Sequence, residues 1–179
     1  MTASPELKPE TRARIDAELT RFPRKASAMM NVLHHVQDDP GCIPEALYPW
    51  LAQTLEVPEV QVHEVVTFYH GYKSRPLGKV NVIVCRTLSC ALCGGYRVME
   101  QLEAGLGVKE GHTSEDGNFS IEWGECLGSC GTGPVVHVNG ALYENVTPES
   151  VEGLLETIKA AVDQPIDTNP PADSPAYFG

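Results

Sequence analysis

The sequence has no apolar run approaching the ~18 residues that a membrane-crossing helix needs. Its first twenty residues, MTASPELKPETRARIDAELT, contain no apolar stretch of the kind that marks a secretory signal. Basic residues are scarce: 13 Lys and Arg stand against 24 Asp and Glu, a net charge of −11. Binding a phosphate backbone requires a basic patch, so nucleic acid is excluded as a partner. There is no G-x-G-x-x-G after a strand pattern and no Walker-type loop, so the chain shows no nucleotide site of its own. No internal repeat is present. With no secretory signal, the six cysteines (42, 85, 90, 93, 126 and 130) are expected to stay reduced. In that setting close spacings point to metal or redox chemistry rather than disulfides.

The apolar fraction of 42% suffices for real cores, and 179 residues leave room for one large domain or two small ones. The first seventy or so residues read as helices. A helix near 10–21 carries Ile15 and Leu19 and stops before Pro23. Met29, Val32, Leu33 and Val36 fall at i, i+3, i+4 and i+7, an amphipathic stripe. Leu47, Trp50, Leu51 and Leu55 make a second stripe after Pro44. Val62, Val65, Val66 and Tyr69 make a third after Pro58. Short Pro- and Gly-containing joints predict a small antiparallel bundle. The period changes after Gly78. Residues 80–84 are a mostly apolar, β-branched run ending in Cys85, as in a buried strand. Val98, Met99, Leu102 and Leu106 line a helix, and Asp116-Gly117 marks a turn. Phe119, Ile121 and Trp123 alternate with polar residues as a half-buried strand does. Asn139-Gly140 predicts a hairpin, because both turn residues must tolerate positive φ. The last helix has Thr147 as its expected cap and Pro148 at its first position, with an apolar face of Val151, Leu154, Leu155, Ile158 and Val162. From Gln164 onward four prolines and no basic residue predict a flexible tail. Strands near 79–85, 119–124, 134–139 and 141–146 in the order β-α-β-β-β-α suit helices packed on a mixed, thioredoxin-like sheet.

Two cysteine pairs, Cys85-x4-Cys90 and Cys126-x3-Cys130, each follow a predicted strand. Three arrangements are compatible with the spacing. The two pairs together could hold a [2Fe–2S] cluster. Cys85, Cys90 and Cys93 with one distant cysteine match the plant-type ferredoxin spacing. Cys90-x2-Cys93 with Cys126-x3-Cys130 could bind zinc. Context favours the first. Cys93 precedes Gly94-Gly95 and a helix, and the plant-type arrangement leaves one member of the second pair unused. The zinc arrangement leaves Cys85 without a role. The loop C-L-G-S-C-G-T-G-P at 126–134 is rich in small residues, which lets backbone N–H groups approach bridging sulfides.

Several stretches carry a family resemblance: LHHVQ at 33–37, VVTFY at 65–69, VCRTLSC at 84–90, ECLGSCGTGPV at 125–135, and Pro148-Glu149. Over residues 25–163 the chain resembles the 24-kDa-type [2Fe–2S] subunit (the E-type subunit) of NADH:quinone oxidoreductase, respiratory complex I. The module is similar to subunits of NAD-linked hydrogenases and formate dehydrogenases. The resemblance implies an α+β protein: an N-terminal helical bundle over 1–75 used for docking, a thioredoxin-like ferredoxin domain over 76–163, and the tail over 164–179. It implies one [2Fe–2S] cluster on Cys85, Cys90, Cys126 and Cys130, leaving Cys93 and Cys42 outside. Each pair is expected to bind one iron. It also implies a flavoprotein partner holding FMN, a [4Fe–4S] cluster and the NADH site, within a larger complex on the cytoplasmic side of the inner membrane. The chain would exchange single electrons with that flavin and would not be catalytic in isolation. The alternatives are the same module in a hydrogenase or formate dehydrogenase, and a zinc-stabilised interaction module.

The six histidines (34, 35, 63, 70, 112 and 137) are expected to make surface or interhelical hydrogen bonds. Cys42 is expected to be a small buried residue. Cys93 is expected to pack, with a reactive thiol as the alternative if a helix N-terminus lowers its pKa. Trp50, Phe68 and Tyr69 are candidates for a docking surface or for the bundle interior.

Overall fold

The computed structural model describes residues 7–163; the tail expected from Gln164 onward lies outside the described residues. The architecture is α+β and divides between Pro76 and Leu77 into two compact units.

The first unit is helical: α1 (Pro9–Arg21), α2 (Met29–Asp38), α3 (Tyr48–Leu55) and α4 (Glu59–Phe68). Proline pre-sets the φ of a first turn without a lost hydrogen bond, which accounts for Pro9 in α1 and Pro49 in α3. The stripe expected to begin after Pro44 is split: residues 45–47 form a 3₁₀ turn and α3 starts at Tyr48. Glu56 ends α3 with φ 57°, its N–H donating to Ala52. Val32, Leu33, Val36, Ile43, Leu51, Leu55 and Val62 are fully buried in one core. Gln37 ties the end of the unit to α2, donating to Gly71 at 2.9 Å and accepting from the Lys73 amide at 2.7 Å.

Two carboxylates fasten α1 to α2. Asp39 accepts the Lys8 amide at 2.7 Å and pairs with Lys8 Nζ at 3.0 Å. Glu18 accepts from Asn31 Nδ2 at 2.9 Å and from Arg21 at 2.7 Å. The Asn31 amide first, then Arg21, holds Glu18 below its ordinary 4.5, and the Lys8 amide and ammonium hold Asp39 below its ordinary 3.8. A pKa depressed by folding contributes stability present above the ordinary value and lost as pH falls through the folded one. The α1 attachment should therefore be complete at neutral pH and weaken once pH drops below those ordinary values. Amide exchange during acid titration should show α1 opening before α2–α4, and Glu18→Gln should blunt that pH dependence. Simultaneous opening of all four helices would overturn this.

The second unit carries a five-stranded sheet in the order β2-β3-β1-β4-β5. Its strands are β1 (Val80–Cys85), β2 (His112–Thr113), β3 (Phe119–Gly124), β4 (Val136–Val138) and β5 (Ala141–Tyr143), with helices α5 (Leu88–Leu92), α6 (Gly95–Leu106) and α7 (Val151–Ala160). Central β1 runs parallel to β3 and antiparallel to β4. Its β-branched run is buried because it has a neighbour on both edges and helices above it. Val80, Val82 and Val84 pack with Val98, Met99 and Leu102 of α6 and with Leu154 and Ile158 of α7. The hairpin turn is as expected, Asn139 at φ 47° and Gly140 at φ 99°.

Among the differences from expectation, three concern the strands and the last helix. Strands β4 and β5 are shorter than 134–139 and 141–146, because Pro134 and Val135 belong to the loop, where their carbonyls accept from Val146 and Cys85. β2 was not expected; two residues are too few to display a period. α7 starts at Val151, not Pro148: Thr147 instead forms a turn in which the Ser150 amide and hydroxyl both donate to the Thr147 carbonyl, at 2.9 and 3.1 Å.

Candidate metal centre

The sheet brings the two cysteine loops together. Because β1 and β3 are parallel, both end on the same side, and the register sets Cys85 opposite Gly124. The Arg86 amide donates to the Gly124 carbonyl at 3.0 Å, so the first cysteine loop leaves the sheet beside the second. Gly124 has no room for a side chain there, since a Cβ would stand 2.5 Å from Ile83 Cγ2. Just outside the sheet, Arg86 forks onto Glu125, with Nη2 to Oε1 at 2.5 Å and Nε to Oε1 at 3.1 Å. Both side chains are about half exposed, so solvent screens this pair and it adds little to stability.

Four thiols stand in two pairs. Cys85 and Cys90 hydrogen-bond to each other and are buried with Val135. Cys126 and Cys130 have sulfurs 3.4 Å apart and are exposed. Hydroxyls from the first loop link the pairs. Thr87 lies 3.2 Å from Cys85 Sγ and also bonds Cys126, and Ser89 bonds Cys130. Among the described residues, no three His, Cys, Asp or Glu side chains close around one point as a single ion requires.

The electrostatics differ within each pair. Burial pushes the Cys85 thiol up, but the Thr87 hydroxyl and amide and the Leu127 amide outweigh it, and its pKa is lowered. Cys90 is pushed up to about 11 by burial and then by neighbouring Cys85, with the Val135 amide opposing. The Gly128 amide, 3.4 Å from the sulfur, lowers Cys126, and Cys126 in turn raises Cys130. Each pair therefore holds one thiol whose pKa is lowered by N–H and O–H donors beside one whose pKa is raised, Cys90 by burial first and Cys130 by Cys126 first. Such donors are the groups that neutralise and tune thiolates in an iron–sulfur site. Backbone packs tightly against the sulfurs: a Cβ on Gly133 would stand 3.2 Å from Cys90 Sγ.

Residues 15–159 match the family described as thioredoxin-like [2Fe-2S] ferredoxin. The chain belongs to this family. Among curated relatives of this ferredoxin, an E-type subunit of NADH-quinone oxidoreductase from Rhizobium meliloti is 35% identical over 84% of this chain and 89% of its own length. The E-type subunit of NADH-quinone oxidoreductase from Rickettsia bellii is 35% identical over 75% and 81%. Among solved structures, an NAD+-reducing [NiFe]-hydrogenase in the H2-reduced state superposes with TM-score 0.63 at 19% identity, showing a shared fold. The match covers 80% of this chain, which spans 24% of that hydrogenase chain. The expected helical bundle followed by a thioredoxin-like ferredoxin domain is the fold of this protein.

The remaining candidates lie apart from the paired thiols. Cys93 closes α5, exposed in an open hollow that Tyr96, Arg97, Pro148 and Glu149 also line. Cys42 is buried in the helical unit, and burial raises its pKa. His34 packs on Tyr72 and His63 on Tyr48. His35 sits 3.8 Å from Glu18, and His112 Nδ1 contacts the Glu110 carbonyl at 2.8 Å. His70 is exposed, and His137 lies on β4 opposite Ile83. Trp50 packs on the bundle core, whereas Phe68 and Tyr69 are exposed and stack edge to face. Sequence reasoning missed Thr87, Ser89 and Gly95. The two hydroxyls were visible inside the C-x4-C loop, but only the fold shows which sulfurs they reach.

Helix α5 also presents an apolar surface. Leu88 and Leu92, one turn apart, are 74% and 78% exposed, and Tyr96 beside them is 54% exposed. No helix among the described residues is long and apolar enough to cross a membrane.

Proposed function

We propose that Cys85, Cys90, Cys126 and Cys130 hold one [2Fe–2S] cluster, each pair on one iron, and that the chain is an electron-transfer subunit of an NADH-oxidising respiratory complex. The observation that carries this reading is the meeting of two thiol pairs at one end of the sheet, each pair supplied with N–H donors. Four thiolates are the donor set of such a cluster, and amide donors offset their charge. When bound, the cluster supplies a site that takes up and releases one electron at a time.

The chain's own residues divide the labour around it. Cys85 and Cys90 keep one side dry, while Cys126 and Cys130 open the other to the surface. Leu88, Leu92 and Tyr96 beside the buried pair suit cover by another protein, since exposed leucines at this density mark contact surfaces. Relatives named as E-type subunits of NADH-quinone oxidoreductase support a flavoprotein partner that holds FMN, a [4Fe–4S] cluster and the NADH site. Hydride chemistry belongs to that partner, and this chain exchanges single electrons with its flavin. The helical unit is a docking element, and the complex sits on the cytoplasmic side of the inner membrane.

The purified chain should contain two irons and two sulfides, show the visible absorption of a [2Fe–2S] centre and, once reduced, its EPR signal. It should not oxidise NADH by itself. A colourless protein with one zinc would replace this reading by a zinc-stabilised interaction module. Affinity purification from the native source should recover a flavoprotein together with membrane subunits; recovery of hydrogenase or formate dehydrogenase subunits would reassign the complex.

A further inference from the structure

Glu144 follows β5 directly, and its half-buried carboxylate accepts hydrogen bonds from two hydroxyls, those of Ser129 and Thr132, the second at 2.5 Å. The two hydroxyl oxygens are themselves 2.7 Å apart. These residues flank Cys130, one position before it and two after, and Thr132 ends the 3₁₀ turn that Cys130 begins. Backbone bonds run alongside: the Asn145 amide donates to the Thr132 carbonyl at 2.7 Å and the Val146 amide to Pro134 at 2.9 Å. The clamp thus spans from the end of β5 to the turn that carries Cys130. Sheet pairing does not require an acid there, because the β4–β5 ladder stops at Tyr143. The hydroxyl donors of this carboxylate are the neighbours of one sulfur.

We infer that Glu144 is a positioning residue: through the Ser129 and Thr132 hydroxyls it fixes the turn at 129–132 and so holds Cys130 Sγ beside Cys126 Sγ. This rests on the reading that Cys130 is a cluster ligand. A turn so held presents its sulfur without further ordering when the cluster is bound, and resists opening when the cluster is challenged. The second pair has particular need of this, because both its cysteines are exposed whereas Cys85 and Cys90 are buried.

Three variants test the role in the cluster-loaded chain, with loss to a chelator followed by visible absorption. Glu144→Gln keeps a carbonyl oxygen that both hydroxyls can reach, and should lose the cluster at the wild-type rate with an unchanged EPR signal. Glu144→Ala should lose it about tenfold faster, roughly the factor that one or two ordinary hydrogen bonds are worth, with a shifted EPR signal. Adding Ser129→Ala and Thr132→Val to Glu144→Ala should accelerate loss no further, since the three act as one unit. Loss from Glu144→Ala at the wild-type rate, or from Glu144→Gln as fast as from Glu144→Ala, would overturn the inference while leaving the cluster reading intact. A wild-type chain with no [2Fe–2S] spectrum would instead overturn the cluster reading, and this inference with it.

Discussion

Cys126→Ala should empty the metal site while Cys93→Ser leaves it full. Cys126 combines three features: a sulfur 3.4 Å from Cys130 Sγ, an amide donor from Gly128, and a pKa lowered first by that amide. On the proposed reading, removing it would deprive one iron of a thiolate and leave the Gly128 N–H without the sulfur it faces. Losing an outer hydrogen-bond partner already costs a metal site about 10–100-fold in affinity, and losing a ligand should cost more. Iron content and visible absorption of Cys126→Ala should fall at least tenfold below the wild type. Cys93 is exposed at the end of α5 in a different hollow, so its serine variant should match the wild type in both. The reverse pattern, Cys93→Ser colourless and Cys126→Ala loaded, would restore the plant-type arrangement of Cys85, Cys90 and Cys93.

Gly95→Ala should destabilise the second unit and loosen the buried thiol pair, although alanine is the better helix former. Gly95 opens α6, and a Cβ there would stand 2.9 Å from the Cys90 carbonyl oxygen and 3.3 Å from that of Cys85. These are backbone atoms of both buried cysteines, so no side-chain rotation relieves the contact. Overpacking of this kind costs roughly 1–3 kcal/mol, against the ~1 kcal/mol that alanine gains over glycine within a helix. The steric term wins, and urea unfolding should show a net loss of up to about 2 kcal/mol together with faster cluster release. Gly153→Ala in α7 is the internal comparison, because a Cβ there meets nothing within 4 Å. It should stabilise by about 0.5–1 kcal/mol and leave the cluster untouched. Equal stabilisation by both substitutions would show that α6 can move away from the cysteine carbonyls.

Much of the local architecture is legible in the sequence because local rules produce it. Stripes at helical spacing mark α1 to α4 and α6, a β-branched run marks β1, alternation of Phe119, Ile121 and Trp123 with polar residues marks β3, and Asn139-Gly140 marks the turn of the β4–β5 hairpin. What escapes is short or set by distant partners. β2 and α5, of two and five residues, are too brief to show a period. The start of α7 moves to Val151 because Ser150 bonds the Thr147 carbonyl, an arrangement that competes with the helix cap a Thr-Pro pair suggests.

The site divides along the same line. The sequence by itself determines the donors: two cysteine pairs at close spacing, a small-residue loop around the second, and a family resemblance that selects four of the six cysteines. It also determines that each pair follows a strand. Only the tertiary structure decides that those strands are parallel neighbours, which brings loops about forty residues apart to one end of the sheet. It also decides that Cys85 and Cys90 are buried while Cys126 and Cys130 face outward, and that Glu144 reaches the hydroxyls beside Cys130. The physical reason is range. Spacing along a chain governs what one turn or strand can present, whereas convergence of two loops depends on sheet register and on core packing contributed by residues far from either pair.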